Sequence, residues 1–356
     1  MKKIFGYIIA AFACVATVGC NDDIDNPYAS VNSISIVDSH VAFSAPADKG
    51  SVKFSCAGNV SVTSNRDWCK ATVDGDSVIV TVTNNESLNG RAANVTLRNG
   101  ADTVQVAVVQ NGIKIHLGTL CAGFDNDNQQ SVFYSLTSDL PVSVISTPDW
   151  VSAQITDSLI YVDVTENTTG HLRTGYIHYG VGEFQDSLKV FQADFSTDIA
   201  GSYTFYYLDE DLEADSLKRK TLSETGLSLK NKGNVCIPMT YDPDNGAMVI
   251  TTGTLAGTDN DYSLYTIFML GEDRWTGYNA GAKISIPFEY NDKEGTVLRI
   301  KGYVSGESVS AISLRHFSGS FDQSSDVGTV YKTYNNPVIK RAPESTASQV
   351  SSYVLR

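Results

Sequence analysis

A repeat with an offset of 82 residues is the feature that most constrains what this chain can fold into. Asp67-Trp68 recurs as Asp149-Trp150, and Val80-Thr81-Val82-Thr83 recurs as Val162-Asp163-Val164-Thr165. Four further pairs share the offset without any gap: Asn85 and Asn167, Arg91 and Arg173, Val95 and Ile177, and Gln110 and Gln192. Because self-similarity at a fixed spacing indicates duplicated structural units, we expect two tandem copies of one small module.

Each copy has the pattern of short β-strands separated by tight turns. Valines alternate with other residues over positions 77–83, which places them on one face of a strand. Asp74-Gly75 and Asn99-Gly100 suit hairpin turns, because Asn, Asp and Gly tolerate positive φ. Strands at this spacing are typical of a β-sandwich. We therefore predict two sandwich modules, one at residues 33–112 and one at residues 113–194.

The two copies resemble the BACON family, small immunoglobulin-like modules of Bacteroidetes surface proteins. The resemblance rests on the Asp-Trp pairs, the Val-x-Val-Thr strands and the closing Val109-Gln110 and Phe191-Gln192, and it covers residues 33–194. It implies an Ig-like fold for both modules. The family is interpreted both as carbohydrate-binding and as a spacer that holds other domains off the cell surface, and the residues here leave both roles open.

The two tryptophans of the repeat have two interpretations. Trp68 and Trp150 could each stack on a sugar ring, or each could be the large core residue of its sandwich. Recurrence in both copies favours the core interpretation, because tryptophan is highly buried on average.

The first nineteen residues have the features of a bacterial export signal. Lys2 and Lys3 form a basic start, and residues 4–18 are apolar and uncharged. This stretch is shorter than the roughly 20 residues that a membrane-spanning helix needs. It ends in Thr17-Val18-Gly19-Cys20, which resembles the lipobox of bacterial lipoproteins. The resemblance implies cleavage before Cys20 and lipidation of its sulfur, which would anchor the chain to a bilayer; the alternative is cleavage elsewhere, with Cys20 incidental.

An acidic segment follows the lipobox. Asn21-Asp22-Asp23-Ile24-Asp25 resembles the surface-export signal of Bacteroidetes lipoproteins. This implies an outer-membrane protein that is exposed on the cell surface and meets the membrane only through its lipid; the alternative is a plain solvated linker. We assign residues 1–19 to a signal peptide and residues 20–32 to an acidic linker.

The composition favours strands and argues against nucleic acid as a partner. The chain has 18 tyrosines and 14 phenylalanines, and aromatic and β-branched residues suit a pleated, half-buried surface. Its formal net charge of −14 repels phosphate backbones. We predict an all-β protein, in which the two Ig-like sandwiches precede a larger β-sandwich or β-barrel domain.

Four cysteines lie beyond the lipobox: Cys56, Cys69, Cys121 and Cys236. An exported protein can form disulfides, and Cys56 and Cys69 lie in one module. The repeat favours free thiols instead, because the offset places Ser138 and Val151 at the corresponding positions of the second copy. Whether Cys56 and Cys69 pair is left open.

Residues 195–342 are predicted to form one larger β-domain, entered through a linker at residues 193–199 and followed by a polar tail at residues 343–356. Seven segments have strand character: residues 201–207, 235–240, 248–251, 262–270, 283–290, 297–304 and 309–317. Residues 210–222 are compatible with a short helix or with a charged hairpin loop. About eight to ten strands separated by turn signals predict a barrel or a sandwich.

The loop at residues 272–279 contains the candidate ligand-binding residues Trp275, Tyr278 and Asn279. A flat apolar ring beside planar polar groups is what sugar recognition uses, and loops carry function disproportionately. The alternative is that Trp275 folds back to cover an end of the core.

Catalytic and metal-binding patterns are not found. The sequence contains no G-x-S-x-G, no H-E-x-x-H and no phosphate-binding loop, and its five histidines show no ligand spacing. The acidic groups Asp209-Glu210-Asp211 and Asp242-Pro243-Asp244 depart from the calcium-binding EF-hand loop. We therefore expect no catalytic residue, no metal and no cofactor.

The leading functional hypothesis is a non-catalytic cell-surface lipoprotein in which two spacer modules present a C-terminal domain that binds a glycan or another surface component. The first alternative is a structural stalk, adhesin or assembly subunit whose partner is a surface protein. The second is a polysaccharide hydrolase, which would need two carboxylates that face each other in a cleft.

Overall fold

The computed structural model describes residues 33–229, 234–271, 274–278 and 280–341. In these residues the secondary structure is thirty β-strands and one five-residue π-helical turn, which confirms the all-β prediction. The predicted signal peptide, acidic linker and polar tail lie outside the described residues. The described residues group into two compact units, and the predicted module boundaries at residues 112 and 194 stay predictions.

The first unit contains residues 33–116, 136–143 and 180–185. Its first eight strands are β1 (Ile34–His40), β2 (Ala42–Phe43), β3 (Asp48–Cys56), β4 (Ser61–Ser64), β5 (Cys69–Asp74), β6 (Ser77–Val82), β7 (Arg91–Asn99) and β8 (Asp102–Gln110). They form two four-stranded sheets, in the orders β1-β3-β6-β5 and β2-β8-β7-β4. All pairings are antiparallel except that of β2 with β8, which is parallel.

The core of this sandwich comes from the alternation seen in the sequence. In β6, Val78, Val80 and Val82 are buried, whereas the residues between them are half-buried. Leu97 and Val108 of the other sheet belong to the same hydrophobic cluster. Burying a valine or leucine side chain contributes about 1.5–3 kcal/mol relative to leaving it in water, so the strict alternation selects one register.

The first unit has a second, smaller cluster that includes the segments from later in the chain. Ala45, Ile113 and Leu140 are buried together, and Val181 and Phe184 pack against them. The compact first unit therefore extends beyond the first repeat.

Strands β9–β16 form two more four-stranded sheets, in the orders β10-β16-β15-β12 and β13-β14-β11-β9. Their bounds are β9 (Ile115–Leu117), β10 (Cys121–Phe124), β11 (Gln129–Ser138), β12 (Ser143–Ser146), β13 (Val151–Thr156), β14 (Leu159–Val164), β15 (Arg173–Val181) and β16 (Phe184–Gln192). The parallel pairing of β10 with β16 repeats that of β2 with β8, so the sequence repeat corresponds to a repeated topology.

The second unit contains residues 117–135, 144–179 and 186–341, including the whole C-terminal domain. The strands of that domain are β17 (Gly201–Leu208), β18 (Ala214–Ser223), β19 (Gly226–Ser228), β20 (Cys236–Pro238), β21 (Thr240–Asp242), β22 (Ala247–Thr251), β23 (Leu255–Asp259), β24 (Tyr262–Leu270), β25 (Arg274–Trp275), β26 (Lys283–Asn291), β27 (Gly295–Arg299), β28 (Tyr303–Val304), β29 (Glu307–Phe317) and β30 (Asp326–Arg341).

These fourteen strands belong to a single branched sheet. The sixteen-residue strand β30 is its centre, because β30 pairs with β29 through its first half and with both β17 and β27 through its second half. The sheet curls until β23 approaches the segment before β20, where Gly257 packs so closely against the backbone of Asn234 that a side chain would not fit. The domain is therefore close to a barrel.

The linker predicted at residues 193–199 is wrong. Phe195 and Ile199 are 7% and 0% exposed and lie in the π-helical turn Phe195–Ile199. Phe195 packs against Tyr241 with ring centroids 4.7 Å apart, and Phe191 stacks on Phe288 at 6.1 Å. One hydrophobic cluster runs from β16 into the C-terminal domain, so this segment is core rather than a flexible connection.

Cys56 and Cys69 are free thiols, and the register of their sheet explains why. Cys69 pairs with Val82 at one end of β6, whereas Cys56 lies three positions beyond Lys53, which pairs with Ser77 at the other end. At 3.3 Å per residue the two cysteines are roughly 25 Å apart along the strands. A disulfide requires Cα atoms within about 7 Å.

Within the described part of the chain, no helix has the length and apolar character needed to cross a membrane.

Candidate functional site

The residues that recur in the repeat form one structural network in the first module. The guanidinium carbon of Arg91 lies 4.3 Å from the centroid of the Trp68 ring. Arg91 Nε donates to Gln110 Oε1 at 2.9 Å, and Arg91 Nη2 donates to the Thr83 carbonyl at 2.8 Å. Gln110 Nε2 in turn donates to the Thr83 and Ala45 carbonyls. Burial lowers the pKa of the Arg91 guanidinium, and the hydrogen bonds to these partners offset part of the cost of burying its charge.

The second module repeats the network with its own residues. Arg173 lies 4.4 Å from the Trp150 ring centroid, its Nε donates to Gln192 Oε1 at 2.9 Å, and its Nη2 donates to the Thr165 carbonyl at 2.6 Å. Trp150 is half-buried, as is Trp68 in the first module. Trp68 packs against the core of its module, but neither tryptophan is the fully buried core residue that the sequence favoured. A guanidinium lies over each ring, so the recurrence of both tryptophans is explained by this repeated arginine contact.

The sequence-predicted residues Trp275 and Tyr278 meet in the C-terminal domain. Trp275 pairs with Met269 in the short hairpin between β24 and β25, and Tyr278 follows in the next turn. Their ring centroids are 5.0 Å apart and the planes are nearly perpendicular, at 87°. Both side chains are half-buried. Asn279, the third predicted residue, lies outside the described residues.

An ion pair holds the two rings in place. Arg315 Nε donates to both carboxylate oxygens of Asp326, at 2.9 and 3.0 Å, and the two side chains are only 18% and 5% exposed. The Tyr278 hydroxyl donates to the same carboxylate at 2.6 Å, and the Arg315 guanidinium carbon lies 4.9 Å from the Trp275 ring centroid. We call Trp275, Tyr278, Arg315 and Asp326 the Trp275 corner.

The electrostatics of the Trp275 corner follow from these contacts. Burial opposes ionisation of Asp326, but hydrogen bonds from Arg315, Tyr278 and the Gly328 amide outweigh it and hold the pKa of this carboxyl below its ordinary value. The hydrogen bond to Asp326 raises the pKa of the Tyr278 phenol. At neutral pH the corner therefore presents a charged pair and a neutral phenol beside the indole.

The corner lies on the face of the sheet that points away from the main core. Arg315 pairs with Tyr265, whereas the neighbouring Leu314 points to the opposite face and belongs to the core. Further aromatic rings surround Tyr278 on the outer face: the centroids of Phe317 and Phe321 are 6.4 and 6.3 Å from it. Arg315, Asp326 and Phe321 were not singled out from the sequence, because only strand pairing brings them to the 275–278 turn.

This arrangement can bind a ligand that has both an apolar face and hydroxyl groups. The rings supply flat apolar surface, and the partly exposed Arg315 guanidinium can donate hydrogen bonds, whereas the nearly buried Asp326 carboxylate holds Arg315 and Tyr278 in place. Because every side chain is already held by its neighbours, binding would cost little side-chain entropy.

The acidic groups singled out in the sequence serve turns. Asp209 Oδ1 accepts hydrogen bonds from the Asp211 and Glu213 amides, and the Asp242 carboxylate accepts them from the Asn245 amide and side chain. Among the described residues, no group of three or more His, Cys, Asp or Glu side chains is placed to hold a metal ion.

Residues 49–111 match the BACON family. The family's description is "Putative binding domain, N-terminal". The match contains Trp68, Arg91, Gln110 and Thr83, so the side chains of the network described above lie within the matched residues. No curated protein sequence matches the chain.

The solved structures that resemble this chain do so only remotely. A chimeric titin Z1Z2 carrying a peptide from decorin is 8% identical, covers 46% of this chain and 98% of its own, and has a TM-score of 0.24. Domains 5–6 of the S-layer protein SbsC are 14% identical over 46% of this chain and 98% of that chain, with a TM-score of 0.18. An endo-fucoidan hydrolase is 10% identical over 46% of this chain and 29% of that chain, with a TM-score of 0.24. At these values the similarities carry no argument about ligand or activity.

Proposed function

We propose that this chain is a non-catalytic surface protein of the bacterial envelope, lipid-anchored through Cys20, whose C-terminal domain binds a glycan. The observation that carries the binding function is the Trp275 corner, where two fixed aromatic rings adjoin a nearly buried Arg–Asp pair on an outward-facing sheet. The BACON match covers residues 49–111 of the first module, so it fits a binding or spacer role of that module and carries no argument about the C-terminal domain.

The proposed anchor rests on the lipobox resemblance of Thr17-Val18-Gly19-Cys20. Metabolic labelling with a fatty-acid probe tests it, with the Cys20→Ser variant as the matched control. We expect label in the membrane fraction for the natural chain and none for the variant. An unlabelled natural chain would remove the anchor and the surface location from the proposal.

The two Ig-like modules are proposed as spacers. Along the chain they lie between the anchor and the C-terminal domain, and the rings of Trp68 and Trp150 are each covered by an arginine. A sugar that stacked on either ring would have to displace that guanidinium. We therefore assign glycan binding to the C-terminal domain and not to these tryptophans.

Affinity electrophoresis through gels that contain soluble polysaccharides tests the binding function. The full-length chain is required, because the Phe191–Phe288 contact is part of one core and an isolated C-terminal domain would lose it. Trp275→Ala combined with Tyr278→Ala should reduce the affinity by about tenfold or more, as expected when a central aromatic contact is removed.

Tyr303→Ala is the matched control, because Tyr303 is 71% exposed. This variant should migrate like the natural chain in the presence and absence of polysaccharide. Circular dichroism must show that every variant is folded. Retention on no polysaccharide, or retention unchanged in the Trp275/Tyr278 variant, would contradict binding at the Trp275 corner.

A protein partner is the second candidate function, and exposed apolar side chains on the second module favour it. Phe133 is 59% exposed with its ring centroid 5.8 Å from that of Tyr161, and Tyr176 is 50% exposed. Chemical cross-linking in intact membranes should then recover a stoichiometric partner, and Phe133→Ser should lower its yield. A yield that Phe133→Ser leaves unchanged would argue against this surface as the contact.

A further inference from the structure

A second group of aromatic side chains lies on the face of β29 opposite to the Trp275 corner. His316 follows Arg315 in the strand and therefore points to the other face. Tyr262 and Tyr331 both meet the His316 ring edge-on, with centroid distances of 5.6 and 5.9 Å and interplanar angles of 75°. Each tyrosine is 39% exposed, so both combine a fixed orientation with open ring surface.

Polar contacts fix the histidine between the two tyrosines. His316 Nε2 lies 3.0 Å from Asp259 Oδ2, and Nδ1 lies 3.1 Å from Thr329 Oγ1, so both ring nitrogens have partners. The His316 side chain is only 12% exposed, whereas that of Asp259 is 37% exposed and open to a ligand. We call Tyr262, His316, Tyr331, Asp259 and Thr329 the His316 cluster.

The position of Tyr331 depends on an irregularity in the strand pairing. Leu314 pairs with Lys332, but the next residue, Arg315, pairs with Val330, so Tyr331 is an extra residue in β30. A β-bulge of this kind re-aims a side chain, and bulges are frequent beside binding sites. Here the bulge residue is Tyr331, one of the two tyrosines whose rings meet His316.

We propose that the His316 cluster is a second glycan-binding site, and that both sites of the domain take neutral sugars rather than acidic ones. This inference rests on the proposed glycan-binding function and deepens it. Exposed tyrosine rings offer stacking area to a pyranose, and the accessible carboxylate of Asp259 accepts hydrogen bonds from sugar hydroxyls.

Charge selects the class of glycan. Asp259 brings a negative charge to the His316 cluster, and the only cation of the Trp275 corner, Arg315, is already paired with Asp326. The chain as a whole carries a net charge of −14. A uronic acid or a sulfate group would therefore be repelled by Asp259 at the His316 cluster and would find no unpaired charge among the four residues of the Trp275 corner, whereas neutral hydroxyls meet no such penalty.

The two sites lie on opposite faces of one strand, so a ligand ring at one does not occupy the other. For a polymer that engages both sites at once, removing one site should weaken binding about tenfold and removing both about 100-fold, because the two free-energy losses add.

Affinity electrophoresis of the full-length chain separates the outcomes. The probes are three neutral polysaccharides, a β-glucan, a galactomannan and a xyloglucan, and one acidic polysaccharide, polygalacturonate. We compare the natural chain, the Tyr262→Ala/Tyr331→Ala variant, the Trp275→Ala/Tyr278→Ala variant, their combination and the Tyr303→Ala control. Each double variant should weaken retention on a neutral polysaccharide about tenfold and the combination about 100-fold.

A ring-preserving variant guards against loss of the fold. Tyr262→Phe/Tyr331→Phe keeps both aromatic faces, so it should retain binding to within about threefold, whereas a folded Tyr262→Ala/Tyr331→Ala chain should not.

Four results are decisive. Binding unchanged in a folded Tyr262→Ala/Tyr331→Ala chain overturns the second site and leaves the proposed function standing. Binding lost in that variant but unchanged in the Trp275/Tyr278 variant supports the second site and overturns the first. Stronger retention on polygalacturonate than on every neutral polysaccharide overturns the assignment to neutral glycans. No retention of the natural chain on any probe overturns both the proposed function and this inference.

Discussion

Asp326→Asn is the substitution whose effect follows most directly from the structure. It keeps the shape of the side chain but removes its charge and replaces one acceptor oxygen by an amide. The natural carboxylate accepts hydrogen bonds from Arg315, Tyr278 and the Gly328 amide and is 5% exposed. The variant leaves Arg315, at 18% exposure, without a counter-charge.

The magnitude follows from the burial of the pair. Removing one partner of a buried ion pair costs about 3–5 kcal/mol, and we take about 2–3 kcal/mol because Arg315 keeps some access to water. For a cooperative unit of about 150–250 residues, each kcal/mol lowers the melting temperature by roughly 2–4 °C. We therefore expect a decrease of about 4–12 °C at pH 7.

The pH dependence supplies a second, independent readout. Because the pKa of Asp326 is lowered in the folded chain, its contribution to stability is complete above the unfolded value of about 4 and is lost as the pH falls through the folded value. The difference in melting temperature between the natural chain and Asp326→Asn should therefore be constant from about pH 5 to about pH 7. It should shrink below about pH 4, where the natural carboxylate becomes protonated.

Thermal unfolding followed by near-ultraviolet circular dichroism is the assay, because that signal reports tertiary packing around aromatic rings. Glu289→Gln is the control, since Glu289 is 47% exposed and its pairing with Arg299 should contribute less than about 1 kcal/mol. If Asp326→Asn melts within about 1 °C of the natural chain at pH 7, the ion pair does not stabilise the corner and the reasoning fails.

Three further predictions concern the second unit. Arg173→Lys should lower the free energy of unfolding by about 1–2 kcal/mol, as measured by urea unfolding. Lysine cannot both hydrogen-bond Gln192 and cover the Trp150 ring with a planar group. An unchanged urea midpoint would contradict this prediction. Phe191→Ala should cost about 3–5 kcal/mol in the same experiment, since its side chain is fully buried, and a smaller loss than Arg173→Lys would refute the shared core. Burial raises the pKa of both the Cys121 thiol, to about 11, and the Cys236 thiol, but Cys121 is only 5% exposed whereas Cys236 is half-buried. At pH 8 a thiol reagent should therefore label Cys236 before Cys121, as read by mass spectrometry, and equal rates would be inconsistent with the fold.

Local patterns predicted several strands well. The segment predicted at residues 262–270 is β24 (Tyr262–Leu270), and that predicted at residues 201–207 is β17 (Gly201–Leu208). Both are rich in aromatic and β-branched residues, so the local preference and the tertiary structure agree. The segment predicted at residues 297–304 is instead two strands, β27 (Gly295–Arg299) and β28 (Tyr303–Val304). The first pairs with β30 and the second with β29, so the chain changes its partner strand between them.

Other strands could not be recognised locally. Residues 210–222 were compatible with a helix or a loop, but the structure has β18 (Ala214–Ser223), a charged strand that pairs with β17 and β19. The longest strand, β30 (Asp326–Arg341), was not predicted at all, because Gly328 and the Asn335-Asn336-Pro337 run have the composition of turns. Pairing with three other strands overrides that preference, and Asn336 adopts a positive φ of +45° within the strand.

The residues of the Trp275 corner also differ in whether local sequence could identify them. Trp275 and Tyr278 could be chosen because they are neighbours in one polar, aromatic turn. Arg315 and Asp326 lie about 40 and 50 positions further along, and nothing in their local sequence connects them to that turn. The register of β24 with β29, and of β29 with β30, brings them together.

By itself the sequence determined the class of fold, the duplication of one sandwich module and the turn that carries two ring side chains. These properties follow from spacing and composition within short windows, where period-two alternation and turn residues act directly on the backbone. Only the tertiary structure decided that the segment after Gln192 is core, that Arg315 and Asp326 complete the Trp275 corner, and that Tyr262 and Tyr331 share one histidine. Those contacts depend on pairing between distant strands, and a sequence encodes such pairing only through the summed burial of the whole sheet.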